Sequence, residues 1–224
     1  MKSFGVSFPF ITAWLVLSCC SSLAAEASTI TFDKMETGKT PPGWVASITG
    51  QGKCIWTVEL DASAPSQPKV LKQSGQVPRS SFPLCIKTDA SLQDGFVEVN
   101  FKPVGGAIDQ AAGLVWRWQD DQNYYVARAN ALEDNVVLYK VEKGRRQALD
   151  IVGQIGGYGQ KQKIPPGKWS RLRVSFHGPD FQVQHDGKVL FAVRDATFKT
   201  AGKLGVWTKA DSITLFDDFK YGPE

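Results

Sequence analysis

The chain has 224 residues, 42% of them hydrophobic and 11% aromatic, enough apolar material for a sizeable core, which excludes a disordered chain. Its formal charge is only +4, with Lys and Arg scattered singly apart from Arg145-Arg146 in a turn. The clustered basic face that nucleic acid requires is therefore missing.

Met1 and Lys2 precede a largely apolar run from Phe4 to Leu17, followed by small residues through Ser22, Ala24, Ala25 and Ala27. The run is shorter than the roughly 20 apolar residues of a spanning helix, and residues 1–27 read as a signal peptide cleaved after Ala25 or Ala27. A lipoprotein signal ending at Cys19 fits less well, because Leu17 is bulky where that signal takes a small residue. No later window is long and apolar enough to span a bilayer. The expectation is one domain over residues 28–224, soluble and periplasmic or secreted. Cys19 and Cys20 leave with the leader, and Cys54 and Cys85, left in an oxidising compartment, are expected to pair as a disulfide.

From Thr31 onward short alternating runs are separated by turn residues, and hardly any segment carries a helical period. Strands are expected at 55–60, 70–73, 96–102, 113–118, 124–130, 136–141, 172–176, 181–184, 189–193, 204–207 and 213–221. Asp186-Gly187 between two of these runs is a strong hairpin signal. The spacing predicts an all-β, two-sheet antiparallel sandwich or barrel. Two stretches are irregular, 62–68 and 153–167. Gly156-Gly157-Tyr158-Gly159 in the second lacks the strand-to-helix context of a phosphate loop and reads as a surface loop, or as one beside a binding face.

The densest block runs from Gly113 to Lys140. Period two places Leu114, Trp116 and Trp118 on one face, the core side, with Val115 and Arg117 opposite. In the next strand Tyr125, Ala127 and Ala129 oppose Tyr124, Val126, Arg128 and Asn130. Arg117 and Arg128 are therefore expected side by side on one sheet face, with Asn123, Tyr124, Asn130, Glu133 and Asn135 nearby. Guanidinium, carboxamide, carboxylate and phenol groups on one face suit a sugar, whose hydroxyls need planar donors and acceptors and whose C–H side needs a ring. The alternative is a solvated outer face on which Arg stems cover apolar surface.

Catalysis has less to stand on. Glycoside hydrolysis usually needs two carboxyl groups flanking the bond, and the acids here cluster at turns. Glu133, at the end of the Arg128 strand, is the best single candidate. His177 and His185 have no metal-ligand spacing, no Gly-x-Ser-x-Gly elbow occurs, and no cofactor fingerprint is present.

The segments 112–117, 123–140, 202–211 and 216–221 together resemble the 3-keto-disaccharide hydrolase family, and the likeness extends over about residues 32–221. The resemblance implies a concanavalin A-like jelly roll, related in fold to family 16 glycoside hydrolases, with a sugar-facing concave sheet. It lacks the Glu-x-Asp-x-x-Glu ladder of retaining glucanases. Three readings stay open: a carbohydrate-binding protein, a hydrolase of glycosides or 3-keto-disaccharides, and a structural envelope protein. By the same likeness, Phe216-Asp217-Asp218-Phe219 is similar to a strand ending at which Asp218, with Asp33 from the N-terminal strand, would hold a structural calcium ion.

Overall fold

The structure is a computed structural model that describes residues 1, 2, 5 and 26–224. The expected signal peptide falls largely outside the described residues. Among the described residues no helix is long and apolar enough to cross a membrane.

The chain forms strands β1 (Ser28–Ile30), β2 (Trp44–Thr49), β3 (Trp56–Leu60), β4 (Lys69–Gln73), β5 (Phe82–Leu92) and β6 (Gly95–Gly105). There follow β7 (Ala111–Asp120), β8 (Asn123–Asn130), β9 (Asn135–Glu142), β10 (Arg145–Ala148) and β11 (Gln160–Lys161). The last are β12 (Ser170–His177), β13 (Asp180–His185), β14 (Lys188–Arg194), β15 (Gly202–Trp207) and β16 (Ile213–Gly222). Two eight-stranded sheets result. The first runs β14-β13-β12-β6-β16-β4-β3 with β1 on β16, and the second runs β10-β9-β8-β7-β15-β5-β2 with β11 on β9. All pairings are antiparallel.

The sandwich core takes alternate residues from both sheets. Val97, Val99, Phe101, Leu172, Val174, Phe176, Phe181 and Phe216 come from the first sheet and meet Leu114, Trp116, Tyr125, Ala127, Leu138, Leu204 and Val206 from the second. Trp116 stacks on Tyr125 at 5.4 Å and on Phe176 at 6.0 Å, so rings of both sheets anchor this contact. The Asp186-Gly187 hairpin joins β13 to β14 as expected, with positive φ at both residues, 48° and 79°, the pairing a type I′ turn requires.

Two bulges reset the alternation. In β7 the register shifts after Trp116, and Arg117 takes φ 48°. In β16 it shifts after Asp217, and Asp218 takes φ 49°. An extra residue on one strand turns the following side chains to the other face. The second bulge lets both Phe216 and Phe219 enter the core, although their separation is odd.

The second sheet has a second apolar layer on its outer face, made of Phe82, Leu84, Ile86, Val115, Tyr124, Val126, Val137, Tyr139, Val141 and Trp207. That face is concave. Tyr124 of β8 shares a 2.7 Å hydrogen bond with Thr49 of β2, yet four strand spacings of a flat sheet would separate them by about 19 Å. Curling brings the rings together over the sheet, where Phe82 and Trp207 stand 5.4 Å apart.

Cys54 and Cys85 are free thiols, without the expected bridge. Cys85 is buried in the core, and the Cys54 thiol donates to the Ser47 carbonyl at 3.2 Å. Burial pushes both thiols above their ordinary pKa, Cys85 well above.

Candidate functional site

The β8–β9 turn, with Asp134 at φ 47°, folds Glu133 and Asn135 back onto the end of β8. The Arg128 side chain, fully buried, donates from Nη1 to Glu133 Oε1 at 3.2 Å and from Nη2 to Glu133 Oε2 at 2.9 Å. Nη2 also reaches Asn135 Oδ1 at 2.5 Å, and Asn135 Nδ2 donates to Glu133 Oε2 at 3.1 Å. Planar fork meets planar carboxylate, the strongest geometry an ion pair has. The Arg128 Nε stays buried without a partner. Burial acts to raise the Glu133 pKa, but the hydrogen bonds and charge of Arg128, with Asn135 and Lys209, outweigh it and hold the carboxyl below its ordinary value. Glu133 is thus ionised at neutral pH.

Aromatic walls flank this pair. The Arg128 guanidinium lies 5.6 Å from the Tyr139 ring and 5.6 Å from the Tyr158 ring. The two phenols are hydrogen-bonded at 2.6 Å. Tyr158 comes from the glycine-rich loop and is about half exposed. Its position depends on Gly159, which has φ 65° and packs so tightly on Val136 that a Cβ would overlap the carbonyl oxygen there. Sequence reasoning left Tyr139 and Tyr158 out of the site, though the phase of Val137, Tyr139 and Val141 in β9 was readable.

Of the residues expected in the site, Arg128, Glu133 and Asn135 are brought together. Asn130 is adjacent: its Nδ2 donates to Asp109 Oδ1 at 2.6 Å, and Asp109 is ion-paired with Lys209. Tyr124 lies on the same face but is buried deeper, against Thr49. Asn123 sits at the opposite end of β8, where it bonds Asp120 and receives the Lys143 N–H; it is not part of the cluster.

Arg117 is on the other side of the sheet. The bulge turns its side chain toward the sandwich core, 5.9 Å from the Phe176 ring and 5.5 Å from that of Phe181. There it donates to the carbonyls of Gln93, Phe198 and Gly178 and to Asp94. Trp118, expected in the core, is turned outward by the same bulge and packs on the concave layer with Lys203 over its ring. Gly202 makes the bulge possible, since a Cβ there would collide with the Arg117 backbone.

The carboxylates expected to hold calcium are engaged separately. Asp33 Oδ1 accepts the Lys69 N–H at 3.1 Å and Asp218 Oδ2 accepts Asn100 Nδ2 at 2.9 Å. Among the described residues no three His, Cys, Asp or Glu gather into a metal-holding group. The link between distant segments is made by buried Asp217, which accepts the Ser66 N–H and hydroxyl at 2.9 Å. Burial raises its carboxyl to about 6.

No protein-family model matches the chain, and no curated protein matches it. Among solved structures, a carbohydrate-binding module, CBM66, from Bacillus subtilis is similar with a TM-score of 0.58 at 22% identity, over 83% of this chain and 98% of that one. A cellulose-induced protein, Cip1, gives 0.56 at 14% identity, over 81% and 91%. A Bacillus subtilis protein of unknown function with a galectin-like fold gives 0.52 at 10%, over 80% and 88%. These likenesses establish the fold, a jelly-roll β-sandwich.

Proposed function

We propose that the chain is an exported carbohydrate-binding protein that takes a sugar at the Arg128–Glu133–Asn135 end of the concave sheet. The observation that carries this is a carboxylate fixed by a buried guanidinium beside a half-exposed tyrosine ring. Glu133 oxygens accept sugar hydroxyls without first having to be ordered, and the Tyr158 ring covers a C–H face. The similar module from Bacillus subtilis, named for carbohydrate binding, supports the reading through its fold. The leader-like residues 1–27 support delivery to the periplasm or beyond.

Hydrolysis of a glycoside or 3-keto-disaccharide is the second reading, and the family resemblance in the Gly113–Lys140 block favours it. Against it stands the protonation state of the site. A two-carboxyl mechanism needs one acid carrying its proton, whereas Glu133 is held ionised by Arg128.

Incubating the purified protein with a panel of glycans, glycosides and their 3-keto derivatives, and reading both thermal shift and product release, tests both readings. A shift without product, reduced in Tyr158→Ala and Glu133→Gln, is the expected result. Turnover selects the hydrolase, and silence in both readouts removes sugar from the account.

A further inference from the structure

The β9–β10 hairpin carries a cation with no counter-charge. Lys143 and Gly144, at φ 51° and 75°, form the tight turn that returns the chain as β10 and points Arg146 inward over the concave layer. There its guanidinium is held among three rings, 4.4 Å from Tyr139, 4.8 Å from Phe82 and 5.8 Å from Trp207. Nη1 is enclosed and has no hydrogen-bond partner. Arg128 has Glu133 and Arg117 has Asp94, but among the described residues no carboxylate stands within ion-pairing distance of Arg146. Aromatic faces hold a guanidinium in place without neutralising it.

A groove of about 530 Å³ opens on this group, lined by Glu142, Lys143, Arg145, Arg146 and Gln147. The lining residues include three cations, Lys143, Arg145 and Arg146, and one acid, Glu142, which lies 3.7 Å from Lys140. The volume is that of an ordinary small-molecule site, on the order of 300–1,000 Å³. Tyr139 joins the groove to the site above, because its ring touches both Arg146 and Arg128. A bare cation fixed in advance favours an anionic oxygen group, which gains charge-assisted hydrogen bonds at little ordering cost.

We propose that the glycan taken by the concave sheet is anionic, with a carboxylate or sulfate group seated in the hairpin groove on Arg146. This rests on the carbohydrate-binding reading and names its substrate class.

Isothermal titration of the whole protein with polygalacturonate, with the same polymer after carboxyl reduction, and with dextran sulfate against plain dextran tests it. The expected result is binding of the uronate or the sulfate polymer, the preferred arm identifying the anion, and at least tenfold weaker binding of its neutral counterpart. Raising the salt from 25 to 300 mM NaCl should weaken the charged complex. Arg146→Gln should lose about tenfold in affinity. Arg194→Gln, the same charge change at an exposed residue of the first sheet, should lose nothing. Equal loss in both variants would mean attraction by net charge alone and overturns the proposal, as does equal affinity for charged and neutral polymers. Binding of neutral glycans only defeats the anionic inference and leaves the sugar site standing, whereas binding of none defeats both. If Arg146→Gln fails to fold, Arg146→Lys, which keeps the charge without the fork, and the charged–neutral polymer pairs on the unaltered protein still decide.

Discussion

Arg117 and Arg128 project from opposite faces of the same sheet, Arg117 against Phe176 and Phe181 of the core and Arg128 against Tyr139 and Tyr158 of the concave layer. The two buried cations therefore do different work. Arg117 ties the β5–β6 turn at Gln93 and Asp94 to the loops at Gly178 and Phe198. Replacing it by Met strands those acceptors and is expected to cost about 3 kcal/mol, lowering Tm by about 6–12 °C. Affinity of the folded protein for glycan should be unchanged. Thermal melts paired with titrations check both halves, and lost binding at an unchanged Tm would place Arg117 back in the site.

Much of this arrangement was legible in the residues. The phase of Tyr125, Ala127 and Ala129 against Tyr124, Val126 and Arg128 is as read, because β8 has no bulge. Arg128, Glu133 and Asn135 meet because a short turn returns the chain beside itself. Arg117 was misplaced because nothing in an Arg codes for a positive φ, and a single bulge reverses every side chain after it. Strand β5 escaped notice for another reason: from Phe82 to Lys87 it is buried on both faces, so the alternation that reveals a strand is absent. Arg146 read as a turn residue, since reach across a curled sheet depends on curvature that no local pattern encodes.

Acid should weaken the fold through His185. Its ring is 3% exposed, Nε2 has no partner, and Phe101 lies 6.2 Å away. Burial lowers its pKa, outweighing Asp186, whose carboxylate stands 3.5 Å from Nδ1. The neutral ring thus contributes stability that is full above the unfolded value of about 6.5 and falls away as pH drops below it, toward the lower folded pKa. Urea melts between pH 7.5 and 5.5 should show a decline that His185→Phe reduces. Parallel profiles for the two proteins would exclude His185 as its source.

The thiols offer a direct check on the core. In the native protein Cys85, fully buried with its pKa well raised, should resist a thiol reagent over hours, and half-buried Cys54 should react slowly. Protein spanning residues 28–224, denatured without reductant, should titrate both. A count of zero under those conditions would show that they pair after all.

Glu133 is the residue at which stability and the proposed recognition coincide. Removing its carboxylate leaves Arg128 buried and uncompensated, so Glu133→Ala is expected to cost about 2–3 kcal/mol, less than for a fully buried pair because Glu133 is itself 37% exposed. Glu133→Gln keeps one acceptor toward Arg128 and should cost about 1 kcal/mol. Both should weaken sugar binding, Ala by at least tenfold, because the hydroxyl acceptors go with the carboxylate. The pH dependence follows from the depressed pKa: the ionised form persists from neutral pH down through the ordinary glutamate value of about 4.3, and binding should fall only below it. A general acid would behave in the opposite sense, needing its proton near neutrality and raising activity as pH falls toward an elevated pKa. Titrations of ligand from pH 8 to 4 separate the two, and affinity that halves near pH 6 would show Glu133 to be protonated where Arg128 should hold it ionised.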